Sequence, residues 1–317
     1  MPHKLVATAA VGLLIAAASI GAAAAIGGPD FSEGFSLFDG RPSCRTAPGA
    51  TATSRTMDWD GSDHARLNLA GQASYTPGAG DRLQASGDPQ VLAHLRIREG
   101  TIELDCRGWR DRTKDLVITL PGRSFDKFGV TGGRLILDRL DQQRLSVAIA
   151  GAGKVQANGR IEDLKLSIAG SGEMDLDRIT ANRGELEIAG SGTMRAGNIT
   201  IGELDMDIAG SGRAEFHQIK SRTAEIGIAG SGTVIAKGAV DDLKIDISGS
   251  GRADFGEVVS RTADAEISGH GDVAIAPSEQ AKIRISGSGD VRLRSDPKNL
   301  ETKISGSGRI HRTSPGI

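Results

Sequence analysis

Over most of the chain, apolar and polar residues alternate in short bursts broken by glycine. Between Asp163 and Leu176, apolar residues fall at Leu164, Leu166 and Ile168, then at Met174 and Leu176, with Gly170-Ser171-Gly172 between them. Period two on both flanks predicts strands with one buried face. Two glycines around a small residue predict a tight corner, where a positive φ or a close backbone approach excludes a Cβ. Each unit therefore reads strand, corner, strand, second corner. The second corner is looser and is written Asn182-Arg183-Gly184, Ser221-Arg222-Thr223 or Ser260-Arg261-Thr262.

The unit recurs. The leading corner glycines are Gly151, Gly170, Gly190, Gly210, Gly230, Gly249, Gly269, Gly287 and Gly306, separated by 18 to 20 residues. A degenerate copy, Val130-Thr131-Gly132-Gly133, sits one period upstream. A fixed period near twenty predicts a solenoid, because no single unit buries its apolar face alone. The inward positions correspond from unit to unit: Leu186 and Ile188, Met206 and Ile208, Ile226 and Ile228, Ile245 and Ile247. The expectation is an all-β, right-handed parallel β-helix of about ten coils, roughly 50 Å long at about 4.8 Å per coil. A left-handed hexapeptide helix needs a six-residue sub-period, which this chain does not keep.

Outside the repeats the pattern changes. Residues 1–25 carry Lys4, an apolar run from Leu5 to Ile20, and small residues at Ala22–Ala25, which read as a secretory signal peptide. The same run is long enough to serve as an uncleaved membrane anchor; no later stretch could span a bilayer. Residues 26–55 read as a linker or surface arm. Residues 56–313 form one solenoid domain, with irregular capping coils over 56–127, regular coils over 128–313 and a tail at 314–317. Within the cap, Leu95–Ile97 and Thr101–Leu104 flank Glu99-Gly100 and predict a hairpin.

Composition then narrows the function. Aromatic residues are only 3%, which suits a narrow aliphatic interior, and the formal charge of −2 with no basic stripe argues against nucleic-acid binding. Cys44 and Cys106 are the only cysteines, and in an exported chain they are expected to pair and tie the arm to the cap, the alternative being two free thiols.

The candidate chemistry is sparse. The corner serines Ser171, Ser191, Ser211, Ser231, Ser250, Ser288 and Ser307 lack a nucleophile elbow, since Ala169 stands two before Ser171 and a strand follows. Neither a dinucleotide glycine fingerprint nor a P-loop is completed at any corner. Gly249-Ser250-Gly251-Arg252-Ala253-Asp254 resembles a calcium nonapeptide, but its Asp comes one residue late and the nine-residue period is absent. His270 replaces one corner serine, while His64, His94, His217 and His311 are scattered without metal-ligand spacing. One outward column runs Lys165, Glu185, Asp205, Glu225, Lys244, and its neighbour runs Ser167, Glu187, Asp207, Gly227, Asp246. Stacking at about 4.8 Å would gather Glu185, Glu187, Asp205, Asp207 and Glu225 into one carboxylate patch. Such a patch is either an ordinary solvated face or a weak calcium or cationic-partner site, with extracellular calcium modules binding at about 10⁻⁴–10⁻³ M. No other cofactor is expected.

The Ile-Ser-Gly-Ser-Gly copies at 247–251, 285–289 and 304–308, their Ile-Ala variants, and the lead-in Lys114-Asp115-Leu116-Val117-Ile118-Thr119-Leu120-Pro121 resemble the putative auto-transporter adhesin, head GIN domain family of bacterial envelope proteins. The resemblance covers roughly residues 56–312. It implies a pectin-lyase-like β-helix with an adhesion role and no established catalytic residues. Coil lengths differ by only two residues, so no coil carries the long insertion that walls a polysaccharide-lyase groove. The resulting expectation is a non-enzymatic scaffold in the periplasm or at the cell surface, whose partner is an envelope protein or polysaccharide. The alternatives are a carbohydrate-active β-helix with its site in the irregular section, and a structural protein that self-associates through its open C-terminal edge.

Overall fold

Met194 and Ala196, Ile199 and Ile201, and Leu204, Met206 and Ile208 all point inward within one coil, none more than 3% exposed. Each pair or triplet is a run of alternating residues with one face buried, so the coil has three sides. The sequence reading allowed two strands per coil. The overlooked side is the short run at Ile199–Ile201, whose two inward residues sit between polar turns and pass for part of a loose corner. The computed structural model describes residues 41–312. The expected signal peptide, the first part of the arm and the tail lie outside them. Among the described residues no helix is long and apolar enough to cross a membrane.

Successive coils pair in parallel, residue for residue. Glu173–Gly190, Thr193–Gly210 and Arg213–Gly230 are offset by one repeat, so that Met206 pairs Leu186 on one side and Ile226 on the other. The result is a parallel β-solenoid of about nine turns, one fewer than expected. The difference lies at the degenerate copy: Lys127–Gly151 pairs on one side with the regular coil Lys154–Gly170, but on the other it pairs in parallel with the cap strand His64–Tyr75 in a broken register. Coils of 19 residues lose their residue at the turn between the first two sides. There the register shifts between Phe216 and Ile219, opposite Gly238.

The corner explains both glycines of the repeat. Gly230 has φ 121°, and a Cβ there would stand 2.6 Å from the carbonyl oxygen of Gly210 in the preceding coil. That same oxygen accepts the Ser231 N–H at 2.9 Å, so the close approach is the inter-coil hydrogen bond itself. Gly232 is excluded for another reason: its Cβ would meet Ile208 Cγ2 at 2.6 Å. The other leading glycines share the positive φ, from 104° to 133°. His270 keeps the corner bond, its N–H donating to Gly249 O at 2.8 Å.

The N-terminal end is closed by an irregular cap. Ser54–Met57 pairs antiparallel with Leu83–Ser86, which pairs antiparallel with Val117–Thr119. Leu95–Arg98 and Thr101–Leu104 form the expected hairpin, turning at Glu99 and Gly100 with φ 48° and 70°. A short helix, Pro89–His94, precedes it; the Asp88 carboxylate caps it by accepting the Gln90 N–H at 2.8 Å. Phe125 lies edge-on to Trp59 and Tyr75 at 5.2 and 5.4 Å, and Phe128 stands 5.0 Å from Tyr75. These rings plug the end of the aliphatic column, a role large side chains fill where no further coil stacks. At the other end, Asn299–Gly306 pairs only with Pro277–Gly287 among the described residues, and Ile304 is 44% exposed.

Candidate functional site

The third side of each coil carries the carboxylate columns. Glu185, Asp205 and Glu225 are direct pairing partners on consecutive coils, and Glu187 pairs Asp207 beside them. The five carboxylates therefore share one face. Its margins are cationic. Lys165 Nζ lies 2.5 Å from Glu185 Oε1 and 4.0 Å from Glu187 Oε1. On the far side Lys244 bridges Glu225 and Asp246, the latter at 3.2 Å. Between them, no cationic side chain of the described residues lies within ion-pair distance of Asp205 or Asp207. Gly227 leaves a notch in the second column, and the Asp207 carboxylate leans into it: a Cβ on Gly227 would stand 2.1 Å from Asp207 Oδ1.

Enclosure alters these acids. Burial, more than any neighbour, pushes Glu187 up to about 7; Lys165 opposes the rise, and Glu185 and Asp207 add to it. Its side chain is only 13% exposed, and Oε2 has no hydrogen-bond partner. Burial likewise raises Asp207 to about 6, reinforced by Asp205, Glu225 and Glu185. Asp205 and Asp246 are raised too, again first by burial. Glu187 is therefore about half protonated at neutral pH, and Asp207 takes up its proton at about pH 6.

Beside the columns the surface folds into an open groove of about 620 Å³. One wall is the row Glu185, Asp205, Glu225, Lys244, Asp264, Lys282; the other is Arg183, Glu203, Thr223, Asp242, Thr262, Gln280. The floor between them is small or aliphatic, from Gly184 and Leu204 to Ala263. A second hollow of about 500 Å³, sharing Arg183 and Glu185, continues the groove toward the cap past Ser146 and Lys127. The loose second corner makes this groove, since it bends the chain beside a column of outward residues on every coil.

The model of the family described as "Putative auto-transporter adhesin, head GIN domain" matches residues 82–198 and again 195–297. The chain belongs to this family. The fold also recurs among solved structures. A putative adhesin from Parabacteroides distasonis ATCC 8503 is 15% identical, aligned over 84% of this chain and 98% of its own, with a TM-score of 0.50. A putative lipid binding protein from the same organism is 19% identical over 82% and 96%, at 0.46. A putative adhesin from Parabacteroides merdae ATCC 43184 is 15% identical over 82% and 95%, at 0.47. Identities this low speak to the fold alone. Comparison with curated proteins returns no match.

Two further observations bear on metals. The groove carboxylates share a face without converging, so a cation would have to draw them together. Among the described residues, the one place where three ligand atoms lie within 4.8 Å of each other is His94, Asp105 and Cys106 in the cap. Reading histidine spacing along the chain missed this group. The predicted hairpin was the available signal, because its pairing sets His94 across from Asp105, whose N–H donates to His94 O at 3.0 Å. Cys106 is bonded to Cys44, with Cα atoms 4.8 Å apart.

Proposed function

We propose that this head GIN domain protein is an exported, non-enzymatic scaffold that binds an extended envelope partner, protein or polysaccharide, along the groove of its third side. The supporting observation is the groove itself, which follows the solenoid from Gly184 to Lys282 along a third side that keeps its register from coil to coil. A chain lying there meets an uncharged floor at every coil, a charged row on one wall and a mixed charged and polar row on the other, which favours a long ligand over a compact substrate. The family supports an envelope binding role in general terms. The test is binding of the immobilised protein to fractionated envelope polysaccharides and purified envelope proteins. Asp205→Lys with Glu225→Lys should weaken binding at least tenfold, and Ser231→Ala on the corner should not. Equal binding by both variants would move the site elsewhere. Turnover of a polysaccharide, abolished by one point substitution, would overturn the non-enzymatic reading.

The carboxylate patch adds a second element to this proposal. A calcium ion would compete with the protons held by Glu187 and Asp207, so it binds weakly and only when those acids are ionised. The exposed edge at Ile304 supports self-association through the C-terminal coil, which sedimentation velocity of wild type against Ile304→Lys measures directly.

A further inference from the structure

We propose that the arm and the cap carry a latent zinc site, formed by Cys44, Cys106, His94 and Asp105 when the Cys44–Cys106 bond is reduced. The ligand atoms of His94, Asp105 and Cys106 already lie within 4.8 Å of one another, and Cys44 is bonded to Cys106. Tetrahedral zinc with bonds of about 2.0–2.3 Å needs ligand atoms roughly 3.3–3.8 Å apart. On reduction the two sulfurs would separate, and Cys44, which lies outside that group, would have to rotate toward it.

The frame that holds these residues does not depend on the sulfur–sulfur bond. The Cys44 N–H donates to Arg107 O at 2.9 Å and the Arg107 N–H donates to Pro42 O at 2.9 Å, so backbone pairing docks the arm beside Cys106. On the hairpin side, the bond from Asp105 N–H to His94 O fixes the other two ligands relative to each other. The surrounding polar contacts suit a metal. His94 Nε2 lies 2.8 Å from Arg45 O, an acceptor that would hold its proton there and leave Nδ1, now 2.7 Å from Asp105 Oδ1, to face the ion. A ligating histidine commonly donates its other N–H to a backbone carbonyl in this way. Arg96 Nη2 stands 2.6 Å from Asp105 Oδ2 and would offset the surplus charge of two thiolates and a carboxylate around one zinc ion. Trp109, edge-on to His94 at 5.4 Å, shields one side.

The chemistry balances with a reductant of the dithiol or phosphine class. A phosphine passes two electrons to the disulfide and takes oxygen from water, which leaves two thiols and a phosphine oxide. Zinc then displaces the two thiol protons. The arm is clasped by a covalent bond under oxidising conditions and by a metal under reducing ones.

The experiment uses the full chain, phosphine-reduced and desalted anaerobically, with cobalt(II) as spectroscopic probe and zinc as competitor. Reduced wild type should bind one equivalent, show thiolate charge-transfer and intense tetrahedral d–d bands, and regain on zinc addition the melting temperature lost on reduction. Oxidised protein should show neither band. His94→Ala should lose at least tenfold in affinity and change the d–d envelope. Asp105→Asn, which leaves the hairpin backbone bond in place, should do the same and guards against loss of fold in the first variant. The proposal is overturned if reduced wild type binds no cobalt, if both variants bind with an unchanged spectrum, or if reduction unfolds the chain and zinc does not restore it.

Discussion

Replacing Glu187 with glutamine should stabilise the protein at pH 8 and do so much less at pH 5. The folded carboxyl titrates at about 7, against an ordinary value of 4.5. Between those values the folded chain holds a proton that the unfolded chain has released, so stability falls as pH rises through 7 and is fully present below about 4.5. The difference of about 2.5 pH units corresponds to ~3.4 kcal/mol if it acted in full. Lys165 Nζ, 4.0 Å from Glu187 Oε1, can swing toward the new charge, so about 1–2 kcal/mol is the expected effect. Glutamine keeps the shape of the protonated acid and never ionises. The measurement is the urea midpoint of wild type and Glu187→Gln at pH 5, 6, 7 and 8. The gap should grow from a small value at pH 5, through a midpoint between the ordinary value of 4.5 and the folded value of about 7, to a plateau of about 1–2 kcal/mol above it. A gap that does not vary with pH, or a variant less stable than wild type at pH 8, would refute the argument that burial of this carboxyl governs the face.

Gly230→Val should cost about 2–4 kcal/mol in equilibrium unfolding, by forcing a β-branched residue into positive φ and breaking the Ser231 bond, whereas Ser231→Ala should cost less than ~0.5; equal effects would mean the corner is misunderstood. Gly232→Ala should cost about 1–3 kcal/mol through overpacking against Ile208, and Ile208→Leu, which removes the offending branch, should recover part of it in a double-mutant cycle. Millimolar calcium should raise the melting temperature at pH 8 but not at pH 5.5, where protons hold Glu187 and Asp207, and the shift should vanish with chelator and in Asp205→Asn with Asp207→Asn. A wild-type melt indifferent to calcium at pH 8, or a double variant that shifts equally, would dismiss the cation.

The coil register was legible in the chain because a parallel solenoid repeats its neighbours. Once the corner glycines set the period, Glu185, Asp205 and Glu225 had to stack, whatever the remaining details. The corner chemistry was equally legible, because where a carbonyl of the previous coil fills the space of a Cβ only glycine fits. What the chain could not show alone were features set by curvature and by contacts far apart in sequence. The run at Ile199–Ile201 is too short to declare itself against its polar flanks, so the third side emerged only in three dimensions. The groove exists because each coil bends beside the same outward column. The unusually weak acidity of Glu187 and Asp207 follows from how far they are buried in the folded chain, which no local pattern records. The aromatic plug of Trp59, Tyr75, Phe125 and Phe128 draws on residues spread over seventy positions. His94 and Asp105 meet through the hairpin, but Cys44 joins Cys106 beside them only when the arm folds back, which depends on long-range docking.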